Sequence, residues 1–478
     1  MATLSLRMIA IFNIPKVKFN IRGEFHQLRH YTSALFIPGS HASKTFAFLS
    51  PNLDFDKYFT DVPQLQRELD HRGLNLDASE LKNSWDFYKY IKNNKKTVEK
   101  RREEIAFQIK KLKKANTDEN EKQQLEELKL QGTVLRRDLK IIKEALWEIE
   151  ETVIPRLLKL PNRLDDKTPN EPVVMRSIKQ KREPTKINRK NHIDIGKSLG
   201  LIEYKNPLNY YLCNDAALFE IGITTWMGKL LADNGMIRVC GTDFGRSLLV
   251  EAASLNHEDP FETFFLNDNE NIAKETCSRL HLMGGASIIA FLAMHTKQLI
   301  NPKHIPICYY AIGRQYQPLM KPSQSQVGLF GVSQATVVHC MALVNNNDSD
   351  EHKNQFEKLI NAALEIYDNL GVHYRVVLRP IGDLNCSESL RISFELWSSS
   401  CQNYIEVGHL SVYGNYFSKR LLIAYQTPTG RDYPAIISGT LLSVPKLLGC
   451  LLEEDVEKFS IPSCIHAQIP VDSIKEKM

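Results

Sequence analysis

Between Trp85 and Leu160 the apolar positions keep a strict seven-residue beat. Ile91, Val98, Ile105 and Leu112 form one series, and Leu128, Leu135, Ile142 and Ile149 form another. Leu125, Leu139, Leu146 and Val153 supply a second seam position in the later series, with Gly132 as its one gap. Such a stripe buries itself against a partner helix. The two series are separated by Asn116, Thr117, Asp118, Glu119 and Asn120, a polar stretch suited to a chain reversal. Matching seams and a short connection predict an antiparallel coiled-coil hairpin, an arm over about 84–160. Pro155 should disturb the second helix and Pro161 should stop it.

The pattern differs on either side. Residues 36–80 mix short apolar runs with Pro, Asn and Asp, so residues 34–165 read as an N-terminal domain carrying the arm. Residues 166–188 are rich in Pro, Asn and Asp and then basic, which predicts a linker. From 189 to 478, strand-like runs (307–312 and 374–378) alternate with amphipathic helical ones (355–369 and 443–454). The expected class is α+β, an arm followed by a large mixed body.

Composition narrows the choices. A length of 478 residues implies two or three domains. Hydrophobic residues make up 43% and charged residues 24%, with no apolar run long enough to span a membrane. Nine cysteines, an odd number without any CxxC, exclude a disulfide framework and a zinc ribbon, and no metal site is expected. His281, His295, His304 and His339 show no ligand spacing and read as structural. The first 23 residues contain no acid, while Arg7, Lys16, Lys18 and Arg22 lie among apolar residues. Together with the segment Arg29, His30, Tyr31, Thr32, Ser33, this predicts a mitochondrial transit peptide over 1–33 and residence in the matrix. On the arm, Lys95, Lys96, Arg101, Arg102, Lys110 and Lys111 lie mostly off the seam. They form either a rail for a phosphate backbone or a solvated face balanced by Glu99, Glu103 and Glu104.

Several strings, in order, resemble seryl-tRNA synthetase, a class II family. Leu160-Pro161-Asn162 followed by Pro169-Asn170-Glu171-Pro172-Val173-Val174 resembles its link from arm to body. His192-Ile193-Asp194-Ile195-Gly196 with Leu199-Gly200-Leu201-Ile202 resembles its body entry, and Leu370-Gly371-Val372-His373-Tyr374-Arg375-Val376-Val377 a stretch after its second motif. The likeness covers nearly the whole chain after the leader and is nearest to non-catalytic, seryl-tRNA synthetase-like insect mitochondrial members. It implies an antiparallel sheet flanked by helices, and a homodimer interface built by a first motif. That motif would be Ala217-Leu218-Phe219-Glu220 and the following helix to Gly235, without its usual closing proline and with Cys240 and Gly241 in that neighbourhood.

The resemblance also implies lost chemistry. Serine activation needs cations on the triphosphate, carboxylates on magnesium and polar groups for a small ammonium substrate. The family's second motif runs Phe-Arg-x-Glu, a loop, then Gly-Leu-Phe-Arg-Val-His-Gln-Phe. Arg314 is matched to its phosphate arginine, but the acid becomes Tyr316, the loop arginine Gly331 and the adenine-stacking aromatic Ala335. The serine-binding Thr-x-Glu falls on Gly285 and Ser287. Glu406 matches a metal-binding glutamate, while its serine partner falls on His409 and a nearby asparagine on Val412. In the third motif the asparagine becomes Ser438 and the Gly-Arg pair becomes Pro445-Lys446; lysine keeps the charge without the two-pronged grip. Arg314, Glu406 and Lys446 are thus expected as relics of an ATP site, with no cofactor. The reading is a catalytically inactive mitochondrial protein that pairs with the active mitochondrial seryl-tRNA synthetase, or with itself, in support of mitochondrial translation. The alternatives are a binder of RNA or mitochondrial DNA acting through the arm, and a residual ATP-dependent ligase.

Overall fold

The computed structural model describes residues 33–36, 49, 51, 54–112, 119–178, 190–266, 279–318, 327–345, 350–428 and 430–470. Most of the expected leader (1–33), and the centre of the expected arm turn, lie outside the described residues. From Ser33 onward the chain forms one unit.

After α1 (Val62–His71), the arm consists of α2 (Ala78–Leu112) and α3 (Glu119–Leu158). Helix α2 begins earlier than the seam suggests because Asp77 caps it, accepting hydrogen bonds from the amides of Ser79 and Glu80 at 2.8 and 2.9 Å. Glu119 and Asn120, expected in the turn, belong to α3. The helices run antiparallel. Arg156 pairs with Glu80 at 2.7 Å, and Tyr88 donates to Glu150 at 3.2 Å. Gly132 faces Ile105 further out. Ile91, Ile105, Leu139, Ile142 and Leu146 are buried, as the seven-residue beat requires. Helix α3 continues through Pro155 and ends at Leu158, before Pro161.

The body is built on one eight-stranded sheet. Its strands, in chain order, are β1 (Val173–Ile178), β2 (Ile237–Arg238), β3 (Ile307–Tyr316), β4 (Gln334–Val344), β5 (Tyr374–Leu378), β6 (Leu390–Ser398), β7 (Asn403–Gly414) and β8 (Ala435–Ser443). Their order across the sheet is β1-β5-β6-β7-β8-β4-β3-β2, antiparallel throughout except that β2 lies parallel to β3. Strand β1 corrects the sequence reading. Val173–Ile178 fell inside the expected linker, yet it is the sheet's edge, paired with Tyr374–Leu378. Pro169 and Pro172 dominate the local composition, and an edge strand that is mostly exposed lacks the apolar alternation of an inner one.

The other helices are α4 (His192–Ser198), α5 (Asn214–Asp233), α6 (Ser247–Ala252), α7 (Ile288–His295), α8 (Asp350–Leu370), α9 (Tyr416–Leu421) and α10 (Val444–Leu452). Helices α5, α8 and α10 contribute to the main apolar core, on one face of the sheet. There Tyr367 stacks on Phe394 with centroids 5.1 Å apart and donates its hydroxyl to the Leu441 carbonyl at 2.8 Å. Helix α7 covers part of the opposite face. Arg72 ties the N-terminal segment to the body, donating to the carbonyls of Asn385 and Glu388, both at 2.8 Å, and of Asn162 at 3.2 Å.

Candidate functional site

Strand pleating sends alternate side chains to opposite faces, so the sheet sorts the expected site residues. In β7 the register shifts between Glu406 and Gly408, opposite Phe394 and Glu395. Ile405 and Val407 before the shift, and Leu410 and Val412 after it, belong to the apolar core. Glu406, His409 and Ser411 therefore share the other face. Val412, expected at the substrate site, does not: its side chain is buried in the core.

Glu406 is fully engaged. Arg391 of β6 forms a close ion pair with it, Ser393 donates its hydroxyl at 2.6 Å, and His409 Nδ1 stands at 3.5 Å. Burial alone would raise the Glu406 carboxyl. The Arg391 guanidinium, with Lys446 as a further positive neighbour, holds it well below the usual carboxylate range. The same burial, and the Arg391 charge, push His409 far down, so its imidazole is neutral. Burial lowers the Lys446 ammonium. Behind Arg391 lies Glu388, 3.5 Å away, which takes the Ser411 hydroxyl at 2.7 Å. Neighbouring Glu395 is likewise consumed, by Arg375 at 2.6 Å and Arg379 at 2.9 Å.

The centre of this face is filled by His339 of β4. Its Nδ1 meets Thr440 at 3.1 Å and its Nε2 meets Ser438 at 3.0 Å. Ser438 also donates to the Cys340 carbonyl at 2.7 Å. Phe291 of α7 stacks over the imidazole with centroids 5.9 Å apart. Burial brings His339 down to about 3. Neutral, bonded through both nitrogens and covered, it is a structural plug, as expected for this histidine. His281 is of the same kind, held between Ser247 and Thr263, both at 3.0 Å.

Arg314 is placed elsewhere. Tyr310 of the same strand donates its hydroxyl to the Gly228 carbonyl of α5, and Ile312 lies against Gly228, so the even positions of β3 face α5. Arg314 follows them, reaching Glu220 of α5 at 3.7 Å, while Thr336 opposite also hydrogen-bonds Glu220. Tyr316 is two residues on, at the same phase of the strand. The structure thus gathers Glu406, Lys446, His409 and Ser438 on one side and leaves Arg314 on the other, so the three expected relics form no common site. On the Glu406 side, β3 presents Tyr309, Ala311, Gly313 and Gln315, and β4 presents Ala335, Val337, His339 and Met341. None of these eight is a cation. A one-residue shift in register flips a side chain through the sheet, and string matching does not fix register to one residue. Beside Arg314 a cleft of about 340 Å³ opens, lined also by Tyr210, Tyr211, Leu212, Glu220 and Ile221. It lies across the sheet from Glu406 and adds nothing to that cluster.

Gly285 and Ser287 serve the backbone. Gly284 has φ +95°, and a Cβ there would sit 2.2 Å from the Arg314 carbonyl. The loop is pressed on β3 by the bonds from Tyr316 to Met283 at 3.1 Å and from Ala286 to Arg314 at 3.3 Å. Gly285 donates to Asp243 at 2.8 Å, and Ser287 caps α7 while donating to the Gly284 carbonyl at 2.7 Å. Gly331 ends a 3-10 turn whose Leu329 amide donates to His192 at 2.9 Å. Among the described residues, no group of three His, Cys, Asp or Glu side chains could hold a metal. On the arm, Lys96, Arg101, Arg102, Lys110 and Lys111 are exposed, and Lys95 is half-buried, 3.9 Å from Glu99. The residues that sequence reasoning missed are Arg391, Ser393 and Glu388. Arg391 and Ser393 alternate with Ile392 and Phe394 in Leu390–Ser398, and Glu388 precedes that strand; what each meets is visible only once the partner strand is known.

Residues 279–455 match the model of the tRNA synthetase class II core domain of the G, H, P, S and T type. The chain is 28% identical over 430 residues to the serine–tRNA synthetase-like protein Slimp of Drosophila melanogaster, covering 89% of each. It is 22% identical over 455 residues to the mitochondrial serine–tRNA ligase of Mus musculus, covering 91% of this chain and 86% of that one. Among solved structures, the seryl-tRNA synthetase of Pyrococcus horikoshii complexed with ATP superposes with a TM-score of 0.74 at 19% identity, over 87% of this chain and 98% of that one.

Proposed function

We propose that this chain, which carries a class II tRNA synthetase core domain and is similar to seryl-tRNA synthetases over most of its length, binds rather than catalyses, pairing in the mitochondrial matrix with the active mitochondrial seryl-tRNA synthetase in support of translation. The observation that carries the loss of activity is Glu406. A carboxylate that is to hold magnesium must offer its oxygens to the ion, whereas this one is spent on Arg391 and Ser393. The neighbouring plug of His339, Ser438 and Thr440 offers no acidic group to a substrate ammonium, and a buried ammonium without a carboxylate is costly. Arg314, the expected phosphate cation, is engaged with Glu220 on the far face.

Pairing is supported by the surface around α5 and β2. Tyr211, Ile221, Ile237 and Phe244 are each between 43% and 53% exposed, apolar side chains of the kind an interface core covers. Among the described residues no strand pairs with the outer edge of β2, which leaves backbone donors and acceptors available there. The matrix location rests on the basic leader, whose first 23 residues contain no acid, and on the mitochondrial ligase among the relatives. Mixing the purified chain with the mitochondrial seryl-tRNA synthetase tests the pairing by native mass spectrometry. A one-to-one species is expected, and two unmixed populations at micromolar concentration would exclude it.

One observation favours a second reading, binding of RNA or mitochondrial DNA. Lys96, Arg101, Arg102, Lys110 and Lys111 lie exposed along one helix beside Phe107, itself 71% exposed. Cations with an aromatic among them suit a phosphate backbone and an unstacked base. Affinity that falls steeply with salt supports it; affinity indifferent to salt counts against it.

A further inference from the structure

Glu251 of α6 is a buried acid with no role in the reading above. The residue is 7% exposed, and its nearest titratable base is His257, whose Nε2 stands at 3.9 Å. Arg420 is also close, but it donates to the Leu158 carbonyl at 3.1 Å and packs on the Tyr416 ring with its guanidinium carbon 3.4 Å from the centroid. Burial pushes the Glu251 carboxyl up, against its charged form. Three hydrogen bonds oppose that, all from the first described residues. Ser33 donates its hydroxyl to Oε1 at 2.8 Å, and the amides of Ala34 and Leu35 donate to Oε2 at 2.5 and 2.7 Å. The segment is itself a tight turn, with the Phe36 amide donating to the Ser33 hydroxyl at 2.9 Å.

This grip lies where the expected basic leader, residues 1–33, ends. We infer that Glu251 is the receptor for a proteolytically generated N-terminus, the α-ammonium of Ala34. The inference rests on the reading of residues 1–33 as a removable leader. A leader peptidase hydrolyses the Ser33–Ala34 bond: the water hydroxyl goes to the Ser33 carbonyl carbon, its proton goes to the Ala34 nitrogen, and that nitrogen takes a further proton from solvent. The nitrogen that donates as an amide at 2.5 Å then carries a full positive charge beside a buried carboxylate. A charge-assisted bond of this kind is about twice as strong as a neutral one. It also replaces the Ser33 hydroxyl donor, because an ammonium has three N–H groups where an amide has one. Removal of the leader would thus lock the N-terminal segment to α6.

The test uses the processed chain, residues 34–478, made with either a free or an Nα-acetylated Ala34. Acetylation removes the charge and two of the three N–H groups, leaving the single amide N–H that the unprocessed chain presents. The free form is expected to melt several degrees higher. The difference should vanish in Glu251→Gln, or in Glu251→Leu where the amide variant does not fold. Equal melting temperatures for the two wild-type forms, or a difference that survives at a neutral residue 251, would overturn the assignment. Sequencing the N-terminus of the protein recovered from mitochondria separates the two premises. A chain still beginning at Met1 overturns the leader reading and with it the physiological role. A processed chain whose two forms melt alike overturns the receptor and leaves the leader standing.

Discussion

Replacing Arg391 by Met removes one guanidinium while keeping an apolar stem of similar length. In the native structure that guanidinium meets Glu406 in a close pair and Glu388 at 3.5 Å, with side chains only 14%, 24% and 0% exposed. The variant leaves Glu406 with the Ser393 hydroxyl and a neutral His409, and Glu388 with the Ser411 hydroxyl and the Asn385 amide. Breaking a buried pair from one side costs about 3–5 kcal/mol, because the partner charge stays buried and uncompensated. Urea unfolding followed by the fluorescence of Trp397, on the same strand as Arg391, reads that loss directly. The sign of the pH dependence follows from Glu406. Its folded carboxyl is held below its ordinary value of 4.5, so it contributes stability above that value and loses it as pH falls through the depressed one. In Arg391→Met the chief cause of the depression is gone. The two proteins should therefore differ most near neutrality and converge in acid. The double variant Arg391→Met, Glu406→Gln should recover part of the loss. A loss under about 1 kcal/mol, the scale of an exposed pair, with parallel pH profiles, would refute the claim that Arg391 neutralises this site.

Three further outcomes follow from the geometry. Gly132→Ala should stabilise the arm by about 1 kcal/mol, since the new Cβ would rest 3.9 Å from Ile105, an ordinary contact; thermal melting of the whole chain checks it. Glu453→Ala should destabilise the body by about 1–3 kcal/mol for each buried donor left unpaired, because Glu453 accepts from Ser398 at 2.6 Å and Ser400 at 2.7 Å and meets Nδ1 of buried His192 at 2.8 Å; urea unfolding measures it. Reversing Lys96, Arg101, Arg102 and Lys110 to Glu should abolish any salt-dependent RNA binding in a filter assay while leaving the far-ultraviolet dichroism of the arm unchanged, as these side chains are exposed.

The arm was legible because its information is local. Seven-residue spacing names Ile91, Ile105 and Ile142 as buried without any knowledge of the partner helix. Strand Tyr374–Leu378 was equally plain, and the helix expected over 355–369 extends only to Asp350–Leu370. Edge strand Val173–Ile178 was not, since its pairing with Tyr374–Leu378 joins segments some two hundred residues apart, and prolines precede it. The site shows the same division. Glu406 could be picked out by its string, but what it does is set by Arg391 and Ser393 on a neighbouring strand, through a register with a one-residue shift. Arg314 had the right residue type and a plausible string, yet pleating turned it toward Glu220. Residue types were readable; the face each one occupies was decided by cross-strand register, which spacing along the chain does not encode.

The central claim is that this synthetase-like body no longer activates serine. Serine-dependent exchange of labelled pyrophosphate into ATP, run beside the active mitochondrial enzyme at matched concentration, tests it most directly. The structure leads us to expect a rate indistinguishable from the protein-free control at saturating ATP, serine and magnesium. Exchange that requires serine and is abolished in Glu406→Gln would contradict it, showing that Glu406 leaves Arg391 to take up a metal during turnover.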